Sequence, residues 1–475
     1  MPAFNPYLPS WEYIPDGEPR LFNGRVYVYG SHDLFNGAAF CMGDYVGWSA
    51  AEDDLSTWRC EGVIYRREQD PACDKGYMYA PDVVRGTDGR YYLYYSMSGD
   101  KTVSVAVCDE PAGEYRFLGH VVHPDGTPIG RKTGDVNNFD PGVLVDDDGR
   151  VYLYVGFAPK GQRSRAAAEA MGLKCDGGYV MELAGDMLTA VTAPVRTISG
   201  IVDAVGTPFE DHAYFEASSI RKIGGRYNLI WSSVLSHELC YAWSDNPMGP
   251  FTFGGVVVSI VDMGFEGNRE QLNHRGNTHG GLVQACSQWY VFYHRQTNRS
   301  AFSRQACAEK VTILPDGRIP QVEVTSCGLN GGPLPGCGAY EARIACNLGG
   351  KTPLMDEAPD PNDDTEPYFT QSGEDRQQEG DQYIAGIPDG GWCAFKYFAY
   401  TGNEKRIRIR VRCTGEGVMT ISHARNGAPV SLLTLPTCGQ WTEVAGAFTP
   451  QEGRQPLYFM YHGTGAADFS AFEVE

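Results

Sequence analysis

The chain has 475 residues and carries 39 Lys and Arg against 59 Asp and Glu, which gives a net charge of −20. Nucleic acids and anionic membrane surfaces are bound chiefly through Lys and Arg, so this charge argues against both and favours a neutral or cationic ligand. The length predicts two domains. The 58 Gly, 29 Pro and 28 Tyr residues are typical of short aromatic strands joined by turns, which predicts an all-β protein.

The N-terminal segment and the cysteines predict a cytoplasmic protein. Residues 1–19 contain no basic segment followed by an apolar one, so no signal peptide is expected. No apolar run approaches the roughly 18 residues that a membrane-spanning helix needs. The 14 cysteines are scattered and form no CxxC or Cys/His pattern typical of zinc. We therefore expect reduced thiols that act as small core residues.

A repeat organises the first 325 residues. A turn followed by an aromatic strand recurs at intervals of 60 to 76 residues, at 23–31, 88–96, 148–156, 224–232 and 287–295. Each interval has room for about four short strands. Hairpins at this spacing predict a five-bladed β-propeller. The longest interval contains an Arg/Ala-rich stretch at 161–174, which predicts a short surface helix inserted between blades.

One strand position is equivalent in all five repeats and is occupied by Tyr27, Tyr92, Tyr152, Asn228 and Tyr290. Each repeat also carries an ionisable residue ten to twelve positions before this strand residue. These residues are Asp16, Asp82, Asp140, Glu216 and His279. Equivalent positions on the inner strands of a propeller converge on its axis, so the five groups are predicted to meet at one end of the channel. When carboxyl groups lie close together, their pKa values move apart, so one group can stay protonated while another is ionised. Such a pair supplies the acid and the base that hydrolysis of a glycosidic bond requires. A calcium site is the alternative use of such oxygens.

Three segments resemble glycoside hydrolase family 43. They are NGRVYVYGSHD at 23–33, FDPGVLVDDDGRVYLYVG at 139–156 and YFEASSIRKIGGRYNLIWSS at 214–233. The resemblance covers about residues 5–325. It implies a five-bladed propeller enzyme that acts on furanosides and xylosides with inversion of configuration.

The same resemblance implies a catalytic triad. Asp16 takes the position of the general base, Asp140 that of the residue that modulates the pKa of the acid, and Glu216 that of the general acid. The sequence departs from the family's usual Asp-Pro by reading DGEP, so Glu18 competes with Asp16 for the role of base. We favour Asp16 and expect Glu18 to bind substrate otherwise.

These roles are physically consistent. An anionic Asp140 would raise the pKa of Glu216 and keep it protonated, while Asp16 stays ionised to accept a proton from water. The alternative is structural: Asp140 and Glu216 would cap turns or pair with Arg150 and Arg221.

The resemblance extends to four residues around the triad. His279, in THGGLVQACSQWYVFYHR, takes the place of a histidine that helps to hold calcium at the channel axis in some members and only supports the site in others. Both roles stay open. Asp82 in APDVV is implied to bind a substrate hydroxyl or to be structural. Arg295 in YHRQ and His32 in GSHD are implied to contact substrate or to line the sugar pocket.

The composition changes after Cys327, which predicts domains at 1–326 and 327–475. Residues 349–381 are acidic and rich in proline, typical of a connector. Alternating strands follow at 405–413, 417–424, 439–449 and 456–463, which predicts a β-sandwich of jelly-roll type.

This second domain resembles a family 6 carbohydrate-binding module over about 330–475. Trp392 and Tyr397 are aromatic residues that either stack on sugar rings or belong to the core.

The leading hypothesis is an exo-acting, inverting glycosidase that releases arabinofuranosyl or xylosyl residues from plant-derived oligosaccharides. A β-galactofuranosidase is the alternative within the enzyme class, because DGEP and GSHD suggest a divergent branch. A carbohydrate-binding propeller without catalysis is the alternative from another class.

Overall fold

The computed structural model describes residues 3–71, 76–350, 365–377 and 381–475. Within these ranges the protein has 31 β-strands and one α-helix, which confirms the predicted all-β class. Five small sheets form the propeller and two six-stranded sheets form a C-terminal sandwich. Residues 351–364 and 378–380 of the predicted connector lie outside the described residues. No helix in the described ranges has the length and apolar character needed to cross a bilayer.

The first four blades are four-stranded antiparallel sheets that follow chain order, and the fifth sheet has three strands. Blade 1 contains β1 (Glu18–Phe22), β2 (Arg25–Tyr29), β3 (Tyr45–Ala51) and β4 (Asp54–Tyr65). Blade 2 contains β5 (Asp82–Arg85), β6 (Tyr91–Ser96), β7 (Val103–Cys108) and β8 (Arg116–His120). Blade 3 contains β9 (Gly142–Val145), β10 (Val151–Val155), β11 (Gly177–Leu183) and β12 (Val195–Ser199). Blade 4 contains β13 (Tyr214–Ile223), β14 (Arg226–Ser233), β15 (Glu238–Ser244) and β16 (Thr252–Ser259). Blade 5 contains β17 (Leu282–Ala285), β18 (Gln288–Thr297) and β19 (Ser300–Val311).

The predicted repeat is confirmed, since each repeated segment covers all or most of the second strand of its blade. The turn before this strand uses left-handed backbone conformations, as tight hairpins require. Asn23 and Gly24 both have positive φ, and so do Cys286 and Ser287 in blade 5, where no glycine is present. The turn geometry is therefore shared by blades whose turn sequences differ.

The core lies between neighbouring blades. Tyr27 and Tyr29 of blade 1 are buried in one cluster with Tyr91 and Tyr95 of blade 2, and similar clusters join the other pairs of neighbours. The N-terminal segment packs where blade 5 meets blade 1, and the backbone N–H of Tyr7 donates to the Ala306 carbonyl at 3.3 Å.

The predicted surface helix is present as α1 (Gln162–Ala170). Its placement between blades is wrong, because it lies between β10 and β11, which pair with each other in blade 3. The extra length of this repeat is therefore an insertion within one blade.

The C-terminal strands are β20 (Leu334–Pro335), β21 (Gly338–Glu341), β22 (Asn347–Gly349), β23 (Tyr368–Gln371), β24 (Gln382–Pro388), β25 (Trp392–Tyr400), β26 (Arg406–Cys413), β27 (Gly417–Ser422), β28 (Pro429–Leu435), β29 (Cys438–Ala447), β30 (Gly453–Gly463) and β31 (Ala466–Val474). One sheet contains β20, β22, β25, β27, β28 and β30, and the other contains β21, β23, β24, β26, β29 and β31. In β26 the residues Ile407, Ile409 and Val411 are buried between the sheets, while the alternating arginines face outwards. The predicted sandwich is confirmed, and its identity as a family 6 module stays a prediction.

Candidate active site

A cavity of about 400 Å³ opens at one end of the propeller, and residues of all five blades line it. Asp16, Asp140, Glu216 and His279 lie together in its wall. The structure therefore brings the three predicted catalytic carboxyl groups and the predicted axial histidine into one site.

Strand register explains which residues reach the cavity. The equivalent residues of the five second strands pair with Arg20, Val84, Leu144, Arg221 and Val283. Four positions before these partners, the chain places Asp16, Ala80, Asp140 and His279, all of which line the cavity. Glu216 lies five positions before its partner because β13 contains a bulge on either side of it.

The prediction that Asp82 joins this ring is wrong. In blade 2 the cavity-lining residue is Ala80, and Asp82 lies two residues further along the strand, level with Glu18 of blade 1. Because the side-chain period of a strand is two, both positions face the axis, but at different depths. Asp82 therefore faces the channel beneath the cavity.

Glu216 has the properties of a protonated general acid. Burial raises the pKa of its carboxyl group well above the usual range, and the neighbouring Asp140 raises it further. The next residue, Ala217, adopts a left-handed φ of 69°, which accompanies the bulge. Such backbone strain in a residue other than glycine is typical of functional sites.

Asp140 contacts two partners. Its Oδ2 atom accepts the backbone N–H of Ala217 at 3.2 Å and lies 3.5 Å from Nδ1 of His279. Burial raises the pKa of Asp140, and His279 opposes this effect. Burial lowers the pKa of His279, but the hydrogen bond and the charge of Asp140 outweigh it and raise this pKa to about 9. His279 is thus a cationic partner of Asp140 near neutral pH.

Asp16 has the properties of an ionised base. Burial alone would raise its pKa, but nearby positive charge, chiefly that of the Arg304 guanidinium, and a hydrogen bond with Ser31 together outweigh burial, so the pKa is lowered. Arg304 Nη1 lies 3.1 Å from Asp16 Oδ1. Like Asp140, Asp16 adopts a left-handed backbone conformation, with φ of 57°.

His294 holds the backbone of the predicted base. Its Nδ1 atom accepts the backbone N–H of Asp16 at 3.1 Å, and its Nε2 atom donates to the Asn277 carbonyl at 2.8 Å. Burial and the charge of Arg304 lower the pKa of His294 to about 3, so the ring is neutral.

Sequence reasoning missed both Arg304 and His294. His294 lies next to the predicted Arg295, and alternation along β18 turns His294 towards Asp16 and Arg295 away. No motif signals Arg304, which reaches Asp16 across a separation of 288 residues.

Glu18 and Asp82 belong to a charge cluster in the channel. Arg221 Nη2 pairs with Glu18, and Arg20 Nε donates to Asp82 at 2.9 Å. Neither acid is among the residues that line the cavity, so the structure does not place them at the substrate. Glu18 as base is a weaker choice than Asp16, because its carboxylate is paired with Arg221 below the site.

The predicted roles of His32 and Arg295 in substrate binding find no support in their positions, since neither residue lines the cavity. His32 is buried between Glu12, at 3.1 Å from its Nε2, and the Asp44 carbonyl. Arg295 donates to the carbonyls of Ala345 and Arg343 in the C-terminal domain. Both residues support the architecture around the site.

The ion pairs exclude one structural alternative for Asp140 and Glu216, which was pairing with Arg150 or Arg221. Arg150 pairs with Glu182 and Arg221 with Glu18, so neither arginine binds Asp140 or Glu216.

Aromatic rings form a continuous part of the wall. Tyr79, Phe139, Phe157 and Phe215 contact one another in sequence, with ring centroids 5.2 to 5.5 Å apart. Phe40 lies over the Arg304 guanidinium on another side. Rings beside a few polar groups are a typical lining for a sugar, whose faces are apolar and whose edges carry hydroxyl groups.

The cavity wall also contains hydrogen-bond donors. Lys160, Arg275 and Asn277 lie in it, and Arg275 is oriented by the Leu235 carbonyl at 2.6 Å from Nη2. Their N–H groups are suited to sugar hydroxyls.

The channel carboxylates beneath His279 are poorly suited to calcium, which takes six to eight oxygen ligands from protein and water. Beneath this histidine, the carboxylates of Glu18 and Asp82 are neutralised by Arg221 and Arg20. One buried oxygen of Glu18 lacks a hydrogen-bond partner. Two guanidinium groups would also repel a divalent cation.

The metal-ligand types that do cluster within the described residues are His212, Glu238 and Cys240, outside the cavity lining. Glu238 accepts hydrogen bonds from His212 and Ser233 there, so hydrogen bonds account for this group.

Comparison with known proteins agrees with the site. The family model of glycosyl hydrolases family 43 matches residues 25–319, which is most of the region that resembles this family. The chain belongs to glycosyl hydrolase family 43. This family 43 enzyme is 48% identical to a protein of Thermoclostridium stercorarium named xylosidase/arabinosidase, over 99% of this chain and 98% of that protein.

Solved structures support the fold. A family 43 arabinoxylan arabinofuranohydrolase from Bacillus subtilis, in complex with cellotetraose, aligns with 99% of this chain and 97% of its own, with a TM-score of 0.53 and 22% identity. A β-xylosidase/α-arabinofuranosidase from a compost metagenome, in complex with xylotriose and in a calcium-free form, aligns with 68% of this chain and 98% of its own, with a TM-score of 0.53 and 25% identity. The alignment with the Bacillus subtilis structure extends over both the propeller and the C-terminal sandwich.

Proposed function

We propose that this family 43 enzyme is an exo-acting, inverting glycosidase that removes terminal xylosyl or arabinofuranosyl residues from plant-derived oligosaccharides. The observation that carries the proposal is the opposite tuning of two carboxyl groups in one cavity. Asp16 is kept ionised by Arg304, and Glu216 is kept protonated by burial and Asp140. Inverting hydrolysis requires one group in each state.

Glu216 would donate its proton to the oxygen of the leaving group. Asp16 would accept a proton from the water that attacks the opposite face of the sugar. Asp140, paired with His279, would help to keep the pKa of Glu216 raised. In such enzymes the two carboxyl groups stand about 6.5 to 9.5 Å apart, so that a water molecule fits between base and sugar.

Two features support an exo mode and the choice of sugar. The wall contains residues from all five blades, so it surrounds a sugar at the end of a chain. The similarity to the xylosidase/arabinosidase of T. stercorarium extends over nearly the whole chain, which supports pentose substrates.

The donor set at the axis supports a reaction without calcium. Arg20 and Arg221 already balance the carboxylates of the channel. We therefore assign His279 to the support of Asp140 and give it no role as a metal ligand.

The test is turnover of nitrophenyl β-xyloside, α-arabinofuranoside and β-galactofuranoside by purified enzyme, with the anomer of the released sugar followed by NMR. We expect hydrolysis of at least one pentoside with inversion. Hydrolysis of the galactofuranoside alone would contradict the proposed pentose specificity and make the enzyme a β-galactofuranosidase. Binding of xylo-oligosaccharides without any turnover would favour the non-catalytic propeller.

A further inference from the structure

Two cysteines of the C-terminal sandwich lie directly opposite each other. Cys413 ends β26 and Cys438 begins β29, and the two residues are Cα partners in this antiparallel pair. Directly opposed residues in such pairs have Cα atoms about 4.5 to 5.5 Å apart, within the roughly 4.4 to 6.8 Å that a disulfide spans. The Cys438 side chain also lies close enough to contribute to the raised pKa of the Cys413 thiol, after the larger effect of burial.

This arrangement is unique among the strand pairs of the described residues. The thirteen cysteines of these ranges are all free thiols, and in the strand registers no other cysteine is paired with a second one. Cys413 and Cys438 are therefore the one directly opposed pair of cysteines in the strand registers of the described residues.

A disulfide at this position would restrain the edge of one sheet of the sandwich. β29 is the terminal strand in the order β23-β24-β31-β26-β29, so it has a neighbour on one side only. Between Cys413 and Cys438 the chain leaves this sheet, forms β27 and β28 of the opposite sheet, and returns. A disulfide between the two cysteines would link the two ends of this segment and tie the edge strand β29 to β26.

We propose that Cys413 and Cys438 are a disulfide-forming pair that clamps the edge strand β29 when the protein meets a small-molecule disulfide such as oxidised glutathione. In the first step the Cys438 thiolate attacks the glutathione disulfide, forms a mixed disulfide and releases one glutathione thiolate. In the second step the Cys413 thiolate attacks the Cys438 sulfur and releases the second glutathione. The two protein thiols are oxidised, and one oxidised glutathione is reduced to two thiols.

Burial sets the order of the two steps. Cys438 is partly exposed and Cys413 is 1% exposed, so the reagent reaches Cys438 first. Burial raises the pKa of the Cys413 thiol to about 12, which makes its thiolate scarce near neutral pH. Because thiolates are the attacking species, the second step is slow and accelerates as the pH rises.

The chain is well suited to a direct test. Trypsin cleaves after Arg412, Arg425 and Arg454, which places the two cysteines in separate peptides, 413–425 and 426–454, each with a single cysteine. The full-length protein would be incubated with oxidised glutathione, alkylated and digested without reduction. We expect one linked peptide whose mass is two hydrogen atoms below the sum of 413–425 and 426–454.

Variants separate this bond from general oxidation. Cys438→Ser and Cys413→Ala should remove the linked peptide, whereas Cys286→Ser, which removes an exposed thiol on the propeller, should leave it unchanged. Oxidation should also raise the thermal midpoint of the sandwich by a few degrees in wild type and in Cys286→Ser, but not in Cys438→Ser.

Two results would overturn the proposal. One is a mixed disulfide at Cys438 that persists at pH 8.5 without conversion to the linked peptide. The other is a set of linked peptides in which Cys413 and Cys438 pair with other cysteines as often as with each other. Both results are read in the wild-type protein and do not depend on the folding of a variant.

Discussion

The guanidinium of Arg304 binds Asp16 and Asp33 at the same time. Its Nη1 atom lies 3.1 Å from Asp16 Oδ1, while Nε and Nη2 donate to the two carboxylate oxygens of Asp33 at 2.8 and 3.0 Å. Arg304 is 1% exposed, so these contacts are made away from water. Asp33 fixes the plane of the guanidinium, and the guanidinium then fixes the ionisation of the predicted base.

Replacement of Arg304 is expected to change the pH profile of the enzyme. Its positive charge lowers the pKa of Asp16, so in Arg304→Gln, which removes this close opposite charge, the pKa of Asp16 should rise. The acid limb of kcat/KM should move to higher pH by the same amount. The rate loss should therefore be larger at pH 5 than at pH 8.

Arg304→Lys is the conservative control for that variant. It keeps the charge but loses the two-point contact with Asp33, so its acid limb should lie between those of wild type and Arg304→Gln. A uniform loss of rate at every pH would instead assign Arg304 a purely structural role.

Glu216→Gln is expected to abolish most turnover while preserving the fold. Loss of a positioned acid typically costs about 10² to 10⁴ in rate. The loss should be smaller with nitrophenyl glycosides than with xylobiose, because nitrophenolate leaves without a proton. Turnover of xylobiose would be measured beside thermal unfolding, and near-wild-type turnover would contradict the assignment.

Asp16 and Glu18 can be separated by a pair of variants. Asp16→Asn should remove turnover with little loss of stability. Glu18→Ala leaves the buried Arg221 without its carboxylate, which typically costs about 3 to 5 kcal/mol, and should be seen as a lower urea midpoint. The fraction of Glu18→Ala that stays folded should retain turnover, and the opposite pattern would make Glu18 the base.

The sequence motifs were sufficient to predict that three carboxyl groups meet in one cavity, because these groups lie in segments that precede inner strands and keep a recognisable spacing. The motifs did not predict how deep along the propeller axis each side chain lies. Asp82 at the start of β5 and Ala80 just before it differ by one side-chain period, so the same face of this segment offers either a cavity residue or a channel residue.

Contacts between distant strands were beyond prediction for a related reason. Arg295 and His294 are neighbours in one motif, and only the orientation of β18 decides which of them faces Asp16. Arg304 lies on β19, outside every recognised segment, and becomes visible only when blade 5 closes on blade 1.

Chelation is expected to leave the enzyme active. The channel acids are paired with Arg20 and Arg221, so no calcium is needed to balance their charge. Initial rates and thermal midpoints with excess EDTA and with added calcium chloride should agree. A loss of activity with EDTA that calcium restores would return His279 to the role of a metal ligand.

The pair of His279 and Asp140 is expected to make stability depend on pH. In the folded protein the pKa of His279 is raised to about 9, above the roughly 6.5 of an unfolded chain. Folding therefore favours the protonated ring, and this contribution is fully present below pH 6.5 and is lost as the pH rises towards 9. Urea midpoints measured from pH 6 to 9.5 should fall across this window in wild type. His279→Gln keeps a polar side chain but has no proton to lose, so its midpoints should change less over the same range, and an equal slope in both proteins would assign the dependence to other groups.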